Sequence, residues 1–107
     1  MTTTYDEIRT AEQKEHDAEV KARVEQGMAL LQVKFGEDWV EHINCETLDL
    51  SDGAECVLGQ LYDSYDEGTD VLELDQWGAA NHGFDVAPVP DGITHDDLQA
   101  AWEEVIC

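Results

Sequence analysis

Cys56, Gly59 and Gln60 lie within about one helical turn of each other, and their side chains together could support thiol chemistry. A thiolate at Cys56 would attack, the Gln60 amide could donate to an oxyanion, and Gly59 would let a ligand approach. One of His42, His82 or His95 would then have to take the thiol proton. The charge around the thiol opposes this reading, because neighbouring carboxylates raise its pKa and disfavour the reactive form. Cysteine is also among the most frequently buried residue types. The expectation is therefore a structural Cys56, with Gly59 as a close-packing point for a neighbouring helix.

Metal chemistry is the next reading to weigh. His42 and Cys45 are three residues apart and Cys56 follows eleven residues later, but no fourth ligand stands at a recognised zinc spacing. Asp63, Asp66, Glu67, Gly68 and Asp70 crowd together in the manner of a calcium loop. Counting from Asp63 puts Gly68 at the required turn, yet Tyr65 and Leu74 occupy positions that need oxygen ligands. No metal, no cofactor and no catalytic residue is expected, and the chain reads as a non-enzyme.

The elements that would position these residues read as helices. A long first helix is predicted from about Asp6 to Phe35, without Pro and closed by Gly36. Val20, Val24, Met28, Leu31 and Phe35 recur at intervals of three and four, a stripe that faces a core. The earlier half offers only Ile8, Ala11 and Ala18, with Asp17–Lys21 and Glu19–Arg23 spaced as favourable i,i+4 pairs. Residues 1–19 are expected to project into solvent or to pack on a second copy as a homodimer, and residues 20–107 to form the compact domain.

Further along, Glu37 to Ile43 reads as a short helix, and Leu48 and Leu50 should pin the loop that follows. Asp52 with Glu55 has the spacing of a capping box, predicting a helix from there to about Glu67 that stops at Gly68. Within it Val57, Leu58, Leu61, Tyr62 and Tyr65 share one face. Two short helical pieces, Thr69 to Leu74 and Gln76 to Asn81, come next, the second ended by Gly83. Thr94 and Asp97 open a C-terminal helix carrying Leu98, Ala101, Trp102, Val105 and Ile106. Trp39 and Trp102 fall in apolar stripes, while Trp77 beside Gly78 is placed at a surface contact. The fold class is all-α, a small single-domain helical bundle with a long N-terminal and a C-terminal helix.

Charge narrows the function. Residues 1–34 hold seven acids and all five Lys and Arg residues of the chain, which leaves 19 of the 26 acids to residues 35–107 without one Lys or Arg. A surface that grips phosphates must neutralise them, so direct nucleic-acid binding is excluded there. The 42% hydrophobic content argues against intrinsic disorder. Three cysteines, an odd number in no paired motif, read as reduced thiols. The start lacks a signal-like apolar region and no stretch approaches 18 apolar residues, so a soluble cytoplasmic protein is expected, with no membrane partner.

The segment CVLGQLY at residues 56–62, behind INCETLDLSDG and ahead of GFDV at 83–86 and the closing LQAAWEEVI, resembles a family of small uncharacterised proteins of actinobacteria and their phages. The resemblance covers about residues 24–107 and implies a compact helical domain in a phage or actinobacterial setting. Family members commonly carry a base before the Cys, where this chain has Glu55.

The charge implies a non-enzymatic protein-binding module that docks on a basic partner, nucleic-acid-binding proteins among them, and the resemblance implies that the module is phage-derived and works in the cytoplasm of a bacterial host. Glu46, Asp49, Asp52 and Glu55 form one candidate contact cluster; Asp63, Asp66, Glu67, Asp70, Glu73 and Asp75 form a denser one, with Trp77 as aromatic contact. A compact chain of this length has a radius of gyration of roughly 13 Å, hence a diameter near 34 Å. Duplex DNA of that length carries about 20 phosphates, which makes DNA mimicry a candidate role. The alternatives are an acidic structural domain whose charge only keeps it soluble and a thiol- or metal-dependent enzyme centred on Cys56.

Overall fold

A computed structural model describes residues 3–89 and 92–107, with side chains from residue 16 onward. The described residues are helical and contain no strand. Helix α1 runs over Thr3–Lys34, continuous because nothing in it breaks the hydrogen-bond ladder. The amides of Phe35 and Gly36 both bond to the Leu31 carbonyl, and Gly36 takes a positive φ of 137°, so the glycine closes the helix as its position predicted. Val20, Val24 and Leu31 are buried, with Met28 and Phe35 packed beside them. Of the side chains on which the projecting first half of α1 was argued, Ile8 and Ala11 lie outside the described residues, Ala18 is exposed, and Arg23 pairs with Glu19 at 3.0 Å. The His16 ring already meets Asp97 at 3.1 Å, four residues ahead of the expected boundary at Val20.

Helix α5 (His95–Ile106) lies against α1 and opens with the expected capping box. The Thr94 hydroxyl accepts from the Asp97 amide at 3.2 Å, and the Asp97 carboxylate accepts from the Thr94 amide at 2.9 Å. Its Trp102 is the centre of the core: fully buried, stacked on Phe84 at 5.7 Å, edge-on to Trp39 at 6.0 Å, and donating its indole N–H to the Gly83 carbonyl. Helix α2 (Val57–Tyr62) and helix α3 (Tyr65–Leu72) form a packed pair. Helix α4 (Gln76–Asn81) ends against α1 at Gly27. A Cβ there would run into the His82 carbonyl and the Trp102 ring, so only glycine lets α4 and α5 approach α1 together.

The single helix expected from Asp52 to Glu67 is two helices. The Asp52 carboxylate accepts from the Ala54 amide in a local turn, and α2 is capped by the Cys56 sulfur, which accepts from the Gly59 amide at 3.3 Å. Cys56 thus precedes the helix as its cap and is 2% exposed, as expected of a structural cysteine. The chain then breaks at Asp63, whose φ is 74°, and Ser64 caps α3 through the Glu67 amide. Gly68 lies inside α3 rather than at a helix end: a Cβ there would sit 2.8 Å from Leu58 Cβ, so the residue lets α3 seat on α2. Gly59 performs the same service, not for a neighbouring helix but for the backbone of the Gly53–Ala54 turn.

Trp39–His42 forms a 3-10 turn where a short helix was expected, and Leu48 and Leu50 are buried and pin the following loop. Cys45 and Cys107 form a disulfide, which corrects the expectation of reduced thiols; Cys56 alone is free. The radius of gyration is 14.8 Å and the long dimension 51 Å. A helix of 32 residues at ~1.5 Å each reaches about 48 Å, so α1 accounts for the departure from a sphere. No helix among the described residues is long and apolar enough to cross a membrane.

Candidate protein-binding surface

Helix α3 buries Gly68 and Leu72 and half-buries Tyr65, residues three and four apart on one side. At about 100° per residue, Asp66, Glu67 and Asp70 fall within an arc of about 100° on the opposite side. All three are exposed, as are Asp63 before the helix, Glu73 at its left-handed end and Asp75 beyond. Among the described residues no ion pair is seen between any of them and a Lys or Arg, and the chain has no Lys or Arg after Lys34. Asp66 and Glu67 favour the positive end of the helix dipole. Asp70 and Glu73 stand at the negative end, where each charge opposes the dipole by typically 0.3–1 kcal/mol in exposed settings.

Two large apolar side chains are exposed in the same stretch. Val71, beside Glu67 at i,i+4, is 60% exposed, and Trp77 in the first turn of α4 is 50% exposed. The Asp75 carboxylate caps α4 through the Gly78 amide at 2.7 Å and so fixes the helix that presents Trp77.

The second acidic cluster is less available. Glu46, Asp49 and Asp52 are exposed and Glu55 half-buried, but two of the carboxylates are engaged by the loop itself. Asp49 accepts from the Ser51 hydroxyl and amide, and Asp52 from Ala54. The Ser51 hydroxyl, then its amide, hold the Asp49 carboxyl below the usual carboxylate range. These residues order the loop between the 3-10 turn and α2, while the α3 acids order nothing but their own helix ends.

The thiol and metal readings are not assembled. Gln60 donates to the carbonyls of Asn44 and Glu55 and accepts from the Asn44 amide, so its side chain is a brace between loop and helix. Burial pushes the Cys56 thiol up, against the pull of the Gly59 amide. His42 pairs with Asp38 and lies edge-on to Phe35; His82 bonds the Gly78 carbonyl and stacks on Phe84; His95 pairs with Asp85. Cys45 is joined to Cys107, so His42, Cys45 and Cys56 do not converge as ligands.

One polar network escaped the sequence reading. Asp85 accepts from the Tyr65 hydroxyl at 2.7 Å and from the Val86 amide, and meets the His95 ring at 3.1 Å. Burial first, and the Asp85 carboxylate second, raise the Tyr65 hydroxyl far above its ordinary value, so it remains a donor. The network ties the start of α3 to the start of α5 and thereby fixes the direction in which the α3 acids point. No sequence signal marks it, because its members lie ten and twenty residues apart without a motif. The chain matches no known family model, no curated protein and no solved structure.

Proposed function

We propose that the protein is a non-enzymatic binding module whose α3 face, Asp66, Glu67, Asp70 and Glu73 with Val71 and Trp77, docks on a basic partner protein. The observation that carries this reading is that Val71 on α3 and Trp77 in the first turn of α4, six residues on, are both exposed in a stretch of chain whose exposed charges are all acidic. A coat of carboxylates that served solubility alone would gain nothing from a half-exposed Trp, whereas interfaces centre on such anchors with charge around them. The dipole-opposed Asp70 and Glu73 support it, since their placement disfavours the helix and a partner's cations would offset that. Asp63 and Asp75 extend the stripe, and Glu46 and Glu55 supply the periphery.

A phage origin rests on the CVLGQLY resemblance, and DNA mimicry is the form of docking that a nucleic-acid-binding partner would require. Placement in a host cytoplasm has to accommodate the Cys45–Cys107 bond, because that compartment keeps thiols reduced. The binding face does not contain either cysteine, so the reading holds in both settings.

Immobilised protein should retain a basic protein from an actinobacterial lysate at low salt and release it on a salt step. Neutralising the stripe (Asp66→Asn, Glu67→Gln, Asp70→Asn) should weaken binding by about 0.6–3 kcal/mol, from ~0.2–1 kcal/mol per exposed charge pair. Trp77→Ala should weaken it about 30-fold, the loss of a hot spot worth ~2 kcal/mol. Equal retention by all three proteins would show the face to be inert. Displacement of DNA from the captured protein would identify the mimic.

A further inference from the structure

A second surface lies away from α3, along the seam between α1 and α5. A groove of about 620 Å³ opens there, walled on the α1 side by Asp17, Val20, Lys21 and Val24. The α5 side shows why it is open. At intervals of four, Asp96, Ala100 and Glu104 form one ridge and Asp97, Ala101 and Val105 the next. Each ridge has Ala in the middle and a longer side chain at either end, so the seam is a notch where two helices could have closed with larger residues. Ala100 and Glu104 are exposed, and Val105 is 38% exposed at the rim.

We infer that this groove seats one face of a cationic amphipathic helix from a partner protein. Ala100, Ala101 and Val105 give the notch an apolar lining, with the buried Val20 and Val24 beneath, and the volume over the alanines leaves room for an apolar side chain. The rim sets the charge. Asp97 is already engaged by His16 and Thr94, and Lys21 on the α1 wall has Asp17 at i,i−4 beside it, but on the α5 side Asp96 and Glu104 flank the notch eight residues apart, about 12 Å along the helix axis, with no cation between them. A helix lying along α5 reaches both with Lys or Arg separated by two turns, and drops a Leu- or Ile-sized residue between them. A second copy of this chain is the wrong occupant, because its net charge is −21 and its own first fifteen residues hold four acids against two bases. This inference does not depend on the α3 face.

The test is fluorescence anisotropy with a labelled, roughly 15-residue Leu/Lys amphipathic helical peptide, against a Ser/Lys peptide of equal charge and a Leu/Glu peptide. The Leu/Lys peptide should bind, and the other two should bind at least tenfold more weakly. Filling the notch with Ala100→Leu and Ala101→Leu should reduce affinity about tenfold or more, and Asp96→Asn with Glu104→Gln several-fold, while the α3-neutralised variant should bind as the parent does. Should the filled variant misfold, amide shifts of the parent protein on titration decide the matter: changes confined to α1 and α5 support the groove, and changes centred on α3 overturn it. Equal binding of the Ser/Lys peptide, no binding of the Leu/Lys peptide, or dimerisation lost on filling the notch would each overturn it as well.

Discussion

Asp97 joins two helices through one carboxylate, since it closes the α5 capping box and receives the His16 ring from α1. Its partial burial is the largest influence and pushes its pKa up, but the Thr94 amide, His16 and the Thr94 hydroxyl together carry it below the ordinary value. A depressed folded pKa means stability that is present above the unfolded value and lost as pH falls through the folded one. The stability gap between the parent and Asp97→Asn should therefore be fully present at about pH 5 and close as pH drops below about 4. Comparing denaturant midpoints of the two proteins across pH removes the opposing effect, the relief of self-repulsion on protonating other acids. A gap unchanged in acid would show that the carboxylate charge is not what holds α1 to α5. At the same scale, the legible residues were those with a local signature: Thr94 with Asp97, Gly36, and Trp39 and Trp102 in their stripes. Tyr65, Asp85 and His95 were not, because their meeting is produced by the tertiary fold alone.

Among the elements, α1, α4 and α5 lie close to where periodicity and caps put them. The region between was misread as one helix since the apolar pattern of Val57, Leu58, Leu61, Tyr62 and Tyr65 runs on in phase across the break. The signal for the break was present in Ser64 and Glu67, which have the Ser-x-x-Glu spacing of a helix start and do cap α3 through the Glu67 amide. The break matters to the proposed binding face, because it turns α3 so that Gly68 and Leu72 face inward and the acids outward. The disulfide was illegible for another reason: three cysteines allow any one pair, and the pair is set by where α5 ends. Cys45 and Cys107 are separated by 62 residues, a loop whose closure stabilises by about 4 kcal/mol in the chain-entropy account. Cys45→Ser with Cys107→Ser should lower Tm by ~15 °C or more in a thermal melt. A shift of a few degrees would mean that α5 is held by Trp102 and the capping box without help from the bridge.

For the molecule as a whole, a formal charge of −21 on 107 residues must be confined by a core built around Trp102, Phe84, Leu31 and Leu58. Raising NaCl from about 10 mM to about 0.5 M shortens the Debye length from ~30 Å to under ~5 Å, which screens repulsion between elements. Tm should rise by several degrees over that range while any complex with a basic partner weakens, so fold and function should respond to salt in opposite directions. A flat Tm would show that the carboxylates are too widely spread to strain the fold. The bridge from Cys45 to the last residue also makes residues 45–107 a covalent ring, with α1 as a tail outside it. A protease that nicks the ring once, at the Pro88–Val89 stretch for instance, releases nothing: the product keeps its full mass plus one water, and separates into two pieces only after a reductant is added.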